Sequence, residues 1–513
     1  MFGDRVQITP SRIAKNTLLL YFRMLFTMIV SLYTSRVVLK VLGVEDFGVY
    51  NVVGGVVAMF SVISGSLSTA ISRYITYELG KHNIEQLKKV FSTAIAIQAL
   101  LALLIIILAE IAGVWFLNTK MNIPVERIYA ANWVLQCSIF TFAVNLISLP
   151  YNAVIIAHEQ MSAFAYISII EILLKLIIVF VLMYSPWDKL IVYAVLLLLI
   201  SVVIRIIYGI YCKCHFLECR WSFIIDKFYL KEMGSFASWN FIGASAGILR
   251  SQGVGVLLNI FLGPTVNAAR AIAEQVNFAI ASFSNNFMVA VNPQIIKSYS
   301  QNNIHYSYKL VMSSARLSYF LLLLLSLPIM VGTCFILQLW LTVVPDNSIC
   351  FIRLALILSL VESLSLPLVT LQQATGKIKW YQIVVGGFHL LNFPFAWLFL
   401  YLKFAPEVVY VIAIVLAILC LYARLYMLRI LINLSIKTFC IEVFIRVSLV
   451  TIISVLLSFF VNNIIDSSDI VAMMITFTFT LLFIMIFGLK RSELGIIYYK
   501  IKLLKEKLFD YIK

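Results

Sequence analysis

From about Thr17 to Leu489 this chain is one apolar run after another, each about 20 residues long and joined by short polar links. Lipid offers no water to an open backbone, so a run of that length and polarity is expected to cross a bilayer as a helix. A window of about 20 residues finds about fourteen runs. They centre near Met28, Ala58, Leu103, Phe142, Leu173, Ser201, Gly247, Ala281, Leu325, Ser359, Leu390, Leu416, Leu456 and Phe479. The expected fold class is an all-α polytopic membrane protein. With 62% of 513 residues hydrophobic and 12% charged, a soluble globular domain is excluded. The first run lacks a small-residue cleavage site and reads as a retained helix, not a signal peptide.

The net charge of +16 does not point to nucleic acid. The basic residues sit in short links, where they report membrane orientation. With the N-terminus inside, the inner links carry Arg5, Arg12, Lys15, Lys81, Lys88, Lys89, Lys213, Arg220, Lys227, Lys231, Lys297, Lys309, Arg316, Lys377, Lys379, Arg429, Lys437 and Arg446. The outer links carry only Arg36, Lys40, Lys120, Arg127, Lys189, Arg353 and Lys403. That asymmetry places both ends in the cytoplasm. The segment RWSFIIDKFYLKEM, residues 220–233, reads as an interfacial helix, and the tail, residues 490–513, as a basic amphipathic helix on the anionic inner leaflet. Cys212, Cys214, His215 and Cys219 follow no usual zinc spacing and read as reduced thiols in a cytoplasmic loop; no metal is expected.

Landmarks recur along the chain. Leu42-Gly43 returns as Leu262-Gly263, Ile123-Pro124 as Val344-Pro345, Ser148-Leu149-Pro150 as Ser365-Leu366-Pro367, and Val192-Tyr193 as Val409-Tyr410. The shift spans six helices, an even number, so the two halves share one orientation as a parallel repeat. The expected organisation is an N-lobe over 1–220, a C-lobe over 221–436, two extra helices over 437–489 and the tail. Duplicated bundles of this kind are typical of alternating-access transporters, with the cargo between the lobes. The sequence shows no long extramembrane loop and no acidic or histidine cluster at a membrane face. A transporter is therefore expected, not an enzyme.

The segment after Gly263 carries charges inside an apolar context. At about 100° per residue, Asn267, Arg270, Glu274, Asn277, Ala281, Ser284, Asn285, Met288 and Asn292 share one stripe. Facing lipid, such a stripe would be very costly, so it faces protein or water. Shifted by one repeat, the matching face runs Phe47, Tyr50, Asn51, Gly54, Ala58, Ser61, Gly65, Ser68 and Ser72, mostly small or weakly polar. There, close helix packing serves as well as a cavity.

Other intramembrane charges have two readings each. Glu171 and Lys175, four apart, neutralise each other or serve ion coupling. Arg23 snorkels inward or lines the cavity. Arg205 and Arg424 read as topological anchors. Arg250 has no acid nearby in sequence. Glu362 and His389 are satisfied packing residues or coupling sites. If Arg36, Arg250 and Arg270 reach one cavity, it is cationic, with Glu274 holding Arg270 in place. A guanidinium fork suits phosphate. The combination suggests a lipid-linked sugar: a diphosphate on arginines, a glycan along Asn267, Asn277 and Asn285, and an isoprenoid tail in the membrane.

The stretches SRVVLKVLGVEDFGVYNVVGGVVAMFS (residues 35–61) and LGPTVNAARAIAEQVNFAIASFSNNFMVAVNPQIIKSY (residues 262–299) resemble bacterial Wzx-type O-antigen and capsule flippases, within the multidrug/oligosaccharidyl-lipid/polysaccharide exporter superfamily. The resemblance covers most of the chain. It implies two six-helix lobes with two extra helices in the bacterial inner membrane. It implies ion-coupled flipping of polyprenyl-diphosphate-linked oligosaccharide from inner to outer leaflet, and a cationic cavity here carried by Arg36, Arg250 and Arg270. Implied partners are lipid-linked oligosaccharide, membrane lipids and, from the family, polysaccharide polymerase and chain-length proteins. The chain is expected to act as a monomer, without nucleic acid or a cofactor, with Na+ or H+ as the coupling ion. The alternatives are a multidrug exporter for cations, which would want an acidic cavity, a flippase for the cell-wall precursor lipid, and a membrane scaffold or integral enzyme.

Overall fold

The computed structural model describes residues 10–58, 61–119, 125–219, 225–248, 250, 253–262, 264–340, 344–464, 469–490 and 493. Among these, every regular element is helical. The first half comprises α1 (Pro10–Ala58), α2 (Ser61–Gly80), α3 (Ile84–Leu108), α4 (Val114–Thr119), α5 (Ile128–Ala157), α6 (Met161–Tyr184) and α7 (Lys189–His215). Then come α8 (Lys227–Ile248), α9 (Val254–Leu262), α10 (Pro264–Ser300), α11 (Ile304–Val331), α12 (Thr333–Trp340), α13 (Ser348–Thr375), α14 (Lys379–Tyr401) and α15 (Val408–Ile432). The last are α16 (Ile436–Phe439), α17 (Ile445–Ile464) and α18 (Asp469–Phe483).

Ten stretches of the described residues are long and apolar enough to cross a membrane: those of α3, α5, α6, α7, α11, α13, α14, α15, α17 and α18. The protein is a multi-pass membrane protein. Ten of the fourteen predicted centres fall on these stretches. The other four, Met28, Ala58, Gly247 and Ala281, fall on α1, α8 and α10, which are helical but less apolar. They are the first and second helices of each half of the repeat, the places where the sequence puts its small and polar faces.

The repeat is written in the turns as well. Between α2 and α3, His82 adopts φ 57° and Asn83 caps the next helix, accepting from Gln86 N at 3.1 Å. Between α10 and α11, Asn302 adopts φ 59° and Asn303 accepts from Tyr306 N at 3.3 Å. Both are a left-handed residue followed by a capping asparagine, which satisfies an otherwise orphaned helical N–H. Glu159 (φ 59°) and Gly376 (φ 75°) likewise break the chain between α5 and α6 and between α13 and α14. Pro150 and Pro367 lie inside α5 and α13.

Within α1, Gly43 (φ 82°, ψ 168°) separates two helical segments. That backbone region is open almost only to glycine. Its sequence counterpart Gly263 lies outside the described residues.

The chain divides into two compact units, Asn16–Ala244 and one that runs from Ser245 to the C-terminus with the first residues of the chain. Residues 227–233 are the first two turns of α8, not a separate interfacial helix; residues 220–224 lie outside the described residues. Polar contacts explain why this stretch joins α8 and the first unit. Asp226 accepts from Phe228 N at 2.8 Å and donates its own N–H to Thr93 Oγ1 at 3.1 Å, and Tyr74 donates to Glu232 at 3.1 Å. Tyr74 also meets Tyr229 and Phe236 edge-on. At the same end of the unit, His158 and Glu218 pair at 2.5 Å, and Cys212 reaches the Tyr151 carbonyl at 3.7 Å. Cys212 and Cys219 are buried and Cys214 is exposed, all as free thiols. Among the described residues no three histidine, cysteine or acidic groups gather as a metal site.

In the second unit, α17 and α18 pack on α11 through a core that includes Leu322, Leu323, Val443, Val447, Val450 and Ile484. Arg316 of α11 is fully buried there. It donates to the Glu442 carbonyl at 3.1 Å and pairs with Glu493, while Lys490 pairs with the Glu442 carboxylate at 2.8 Å. An inner-link lysine or arginine would sit in water; Arg316 instead ties the two added helices to the bundle. The predicted amphipathic tail falls outside the described residues apart from Lys490 and Glu493.

Candidate functional site

The intramembrane charges gather into clusters inside each unit. In the second, Arg250 donates Nη1–H to Glu362 Oε1 at 2.7 Å, with 21% and 37% of the two side chains exposed. This is the acid that the local sequence could not supply; it comes from α13. Arg424 of α15 is buried, not a surface anchor. It donates to the Tyr381 hydroxyl at 3.3 Å and to Ser365 Oγ at 3.1 Å, and feels the charge of Glu362. His389 of α14 lies within electrostatic reach of both arginines, with Nδ1 buried and unpartnered. Three residues on, Asn392 is 1% exposed and neither of its amide atoms has a partner among the described residues. Two guanidiniums and one carboxylate leave this interior net positive.

Twenty residues further along the chain, Arg270 Nη2 lies 3.8 Å from Glu274 Oε1, and Tyr410 donates its hydroxyl to the same oxygen at 3.1 Å. Arg270 is nearly buried and Glu274 is half-exposed. The rest of the α10 stripe divides. Asn277 accepts from Ser359 at 2.6 Å and Asn292 accepts from Thr370 at 2.8 Å, both on α13. Ser284 and Met288 are buried. These four residues serve helix packing, as polar contacts between membrane helices commonly do. Asn285 is exposed. The side chains of Arg36 and Asn267 lie outside the described residues.

In the first unit, Glu171 and Lys175 pair at 2.6 Å. They line a cavity of about 270 Å³ with Tyr50, Ser138, Thr141, Asn145 and Ser201. Arg23 sits over the Phe164 ring at 4.7 Å, within electrostatic reach of the Glu171 carboxylate. Two cations and one carboxylate again leave the cluster net positive.

The two clusters occupy equivalent places in the repeat. Asn145 corresponds to Glu362 and Glu171 to His389, at shifts of 217 and 218 residues. Arg205 of α7 likewise packs on a tyrosine, its guanidinium 3.9 Å from the Tyr151 ring centre. Neither Asn145 nor Asn392 was singled out from sequence, because one asparagine in an apolar helix attracts no notice. The repeat offset was the available clue for Asn145.

The sequence profile of a family described as polysaccharide biosynthesis proteins matches residues 13–298, more than half of the chain. The chain belongs to that family. The fold of this polysaccharide biosynthesis protein is that of a MATE transporter in the MOP superfamily. An outward-facing multidrug resistance transporter of the MATE family superposes with a TM-score of 0.69 at 13% identity, over 82% of this chain and 95% of that one. A MATE protein in a bent conformation gives 0.71 at 13% identity, over the same shares of 82% and 95%. A MOP superfamily transporter from Pyrococcus furiosus, described as having a binding pocket of reversed polarity that suggests a different function, gives 0.66 at 13% identity over 82% and 95%. At such identities the likeness is one of fold. No curated protein matches in sequence. The fold is one that these solved membrane transporters share.

Proposed function

We propose that this polysaccharide biosynthesis protein flips polyprenyl-diphosphate-linked oligosaccharide from the inner to the outer leaflet of the bacterial cytoplasmic membrane. The observation that carries the reading is the company kept by Arg250 and Arg270. Arg250 lies between α8 and α9 and Arg270 in the second turn of α10, and each guanidinium has a carboxylate of its own. A buried arginine is expensive unless it is paired. A partner that is itself partly exposed keeps the cost down while leaving the fork within reach of an incoming phosphate. An anion gains more on such a group than it would in water.

In this reading the lobes alternate access and both termini face the cytoplasm. Glu362, His389, Glu171 and Lys175 are the groups through which H+ or Na+ would couple, and the chain works as a monomer beside polymerase and chain-length proteins. A second reading, export of organic cations, rests on the likeness of fold to multidrug transporters. The net positive clusters speak against it, since a cationic cargo needs acids free of their own cations.

The test places purified protein in liposomes with a fluorescent polyprenyl-diphosphate oligosaccharide in one leaflet and follows its appearance in the other. Flipping by the wild type and not by Arg270→Ala is expected. No flipping, together with efflux of a cationic dye, would replace this proposal with the second reading.

A further inference from the structure

Arg250 and Glu362 present a chemical conflict. The guanidinium has one fork, and a carboxylate and a phosphate both want it in the same geometry. Glu362 already accepts from Nη1 at 2.7 Å. With 21% of Arg250 and 37% of Glu362 exposed, a phosphate can approach the fork without unfolding the bundle.

We propose that Glu362 is an internal anion that competes with the cargo's phosphate for Arg250, so that cargo loading and protonation of Glu362 are one linked event. When a phosphate takes the guanidinium, Glu362 loses its counter-charge and gains an anionic neighbour. Both changes disfavour its charged form. One proton from water then adds to a Glu362 oxygen, and no covalent bond of the cargo changes. When the phosphate leaves, the proton leaves and the pair re-forms. Linkage is reciprocal: if cargo draws in a proton, protons strengthen cargo binding by the same factor.

The surroundings suit this exchange. From α15, Glu362 meets the field of Arg424 and of Cys420, and from α14 the cluster adds His389. Arg424 is held by the neutral Tyr381 and Ser365, so it has no carboxylate hydrogen-bonded to it among the described residues. From α10 the nearest ionisable groups are Arg270 and Glu274, one turn from Asn277, which bonds Ser359 on the Glu362 helix. On α11, Tyr319 bonds Thr451 and Arg316 is taken by Glu493. The segment of α9 carries no ionisable side chain. On α14, His389 Nδ1 and the Asn392 amide are buried polar groups without partners among the described residues.

The inference rests on the cargo reading above, and the experiment separates the two. Purified full-length protein in nanodiscs is titrated with a prenyl-diphosphoryl sugar, a diester whose phosphate charges stay constant through the neutral range. Affinity is measured from about pH 8 to about pH 6, and proton uptake is followed in weak buffer. Wild type is expected to bind up to about tenfold tighter per pH unit lost, the limit for one linked proton, and to take up close to one proton per cargo. Glu362→Gln is expected to bind near pH 8 as tightly as wild type near pH 6, with a flat profile. Wild-type binding that ignores pH and takes up no proton overturns this inference and leaves the cargo reading standing. No binding of the diester by wild type overturns the cargo reading itself, whereas equal binding by Arg250→Ala takes the phosphate off Arg250 and overturns this inference alone. The uptake measurement needs no variant, so a poorly folding Glu362→Gln does not shelter the proposal.

Discussion

Tyr410 donates its hydroxyl to Glu274 Oε1 at 3.1 Å. The equivalent tyrosine of the other half, Tyr193, meets Tyr50 edge-on with ring centres 4.9 Å apart, and Tyr50 is the repeat counterpart of Arg270. The same two positions touch in both halves, but only one half uses them to orient a charge. Tyr410 is buried, so it fixes the half-exposed Glu274 from the protein side. Arg270→Ala should abolish flipping in the liposome assay while membrane insertion is unchanged. Arg270→Lys should fail to restore it, because an ammonium lacks the fork. Tyr410→Phe, which removes a hydrogen bond to a charged group worth about 1.5–3 kcal/mol, should slow flipping without abolishing it. Normal flipping by Arg270→Ala would reduce the pair to a structural bridge.

Asn277 separates packing from cargo contact. Its hydrogen bond to Ser359 joins α10 to α13. Asn277→Ala should lower the thermal stability of the purified protein by about 1 kcal/mol and leave the rate of flipping per folded molecule near wild type. A stable variant that no longer flips would return Asn277 to the cargo path.

Arg316 should prove to be among the least replaceable residues of the second unit. Its removal leaves the Glu493 carboxylate without its cation and the Glu442 carbonyl without its donor. Breaking one side of a buried ion pair costs about 3–5 kcal/mol. Thermal unfolding in detergent should show Arg316→Ala falling apart well below wild type. Equal melting would mean that the added helices hold on by apolar packing alone.

Gly43 tests the backbone directly. A Cβ there would meet nothing within 4 Å, so a substitution acts through φ and ψ alone. Gly43→Ala should cost about 1–3 kcal/mol, read as a lower melting temperature and lower yield. An unchanged melt would show that the kink relaxes freely.

The cysteines report chemistry and topology together. Contact with Cys212, then burial, pushes the Cys219 thiol well above its ordinary range. It stays protonated through neutral pH, and a thiol is a poor nucleophile. Mass spectrometry after mild maleimide treatment should find Cys214 modified and Cys219 untouched. A membrane-impermeant maleimide should reach Cys214 only in inverted vesicles and Cys334 and Cys350 only in intact cells. The reverse pattern would invert the proposed orientation.

Much of the architecture was legible because membrane helices announce themselves by length and polarity, and because a repeat marks its own landmarks. The Ser-Leu-Pro prolines, Pro150 and Pro367, sit inside α5 and α13 as the offset put them. The α10 stripe was legible only as a face. Periodicity says that Asn277 and Asn292 avoid lipid, but not that Ser359 and Thr370 wait opposite. Arg250 lacked a partner in sequence because Glu362 lies 112 residues away, and no local pattern reports such a distance. By sequence alone Arg316 and Arg424 read as inner-link and anchoring basic residues, whereas both are buried. A basic side chain near a helix end obeys the same charge rule whether water or protein receives it.

The paired polar nodes have an evolutionary corollary. A tandem duplication delivers two identical copies of every interior position at once, and identical copies are redundant. Here Asn145 and Glu362, and Glu171 and His389, are different side chains at matching places, and each half carries one cation–carboxylate pair in its interior. A descendant of such a gene can therefore acquire a new glycan or a new ion by altering one copy while the other preserves a working machine.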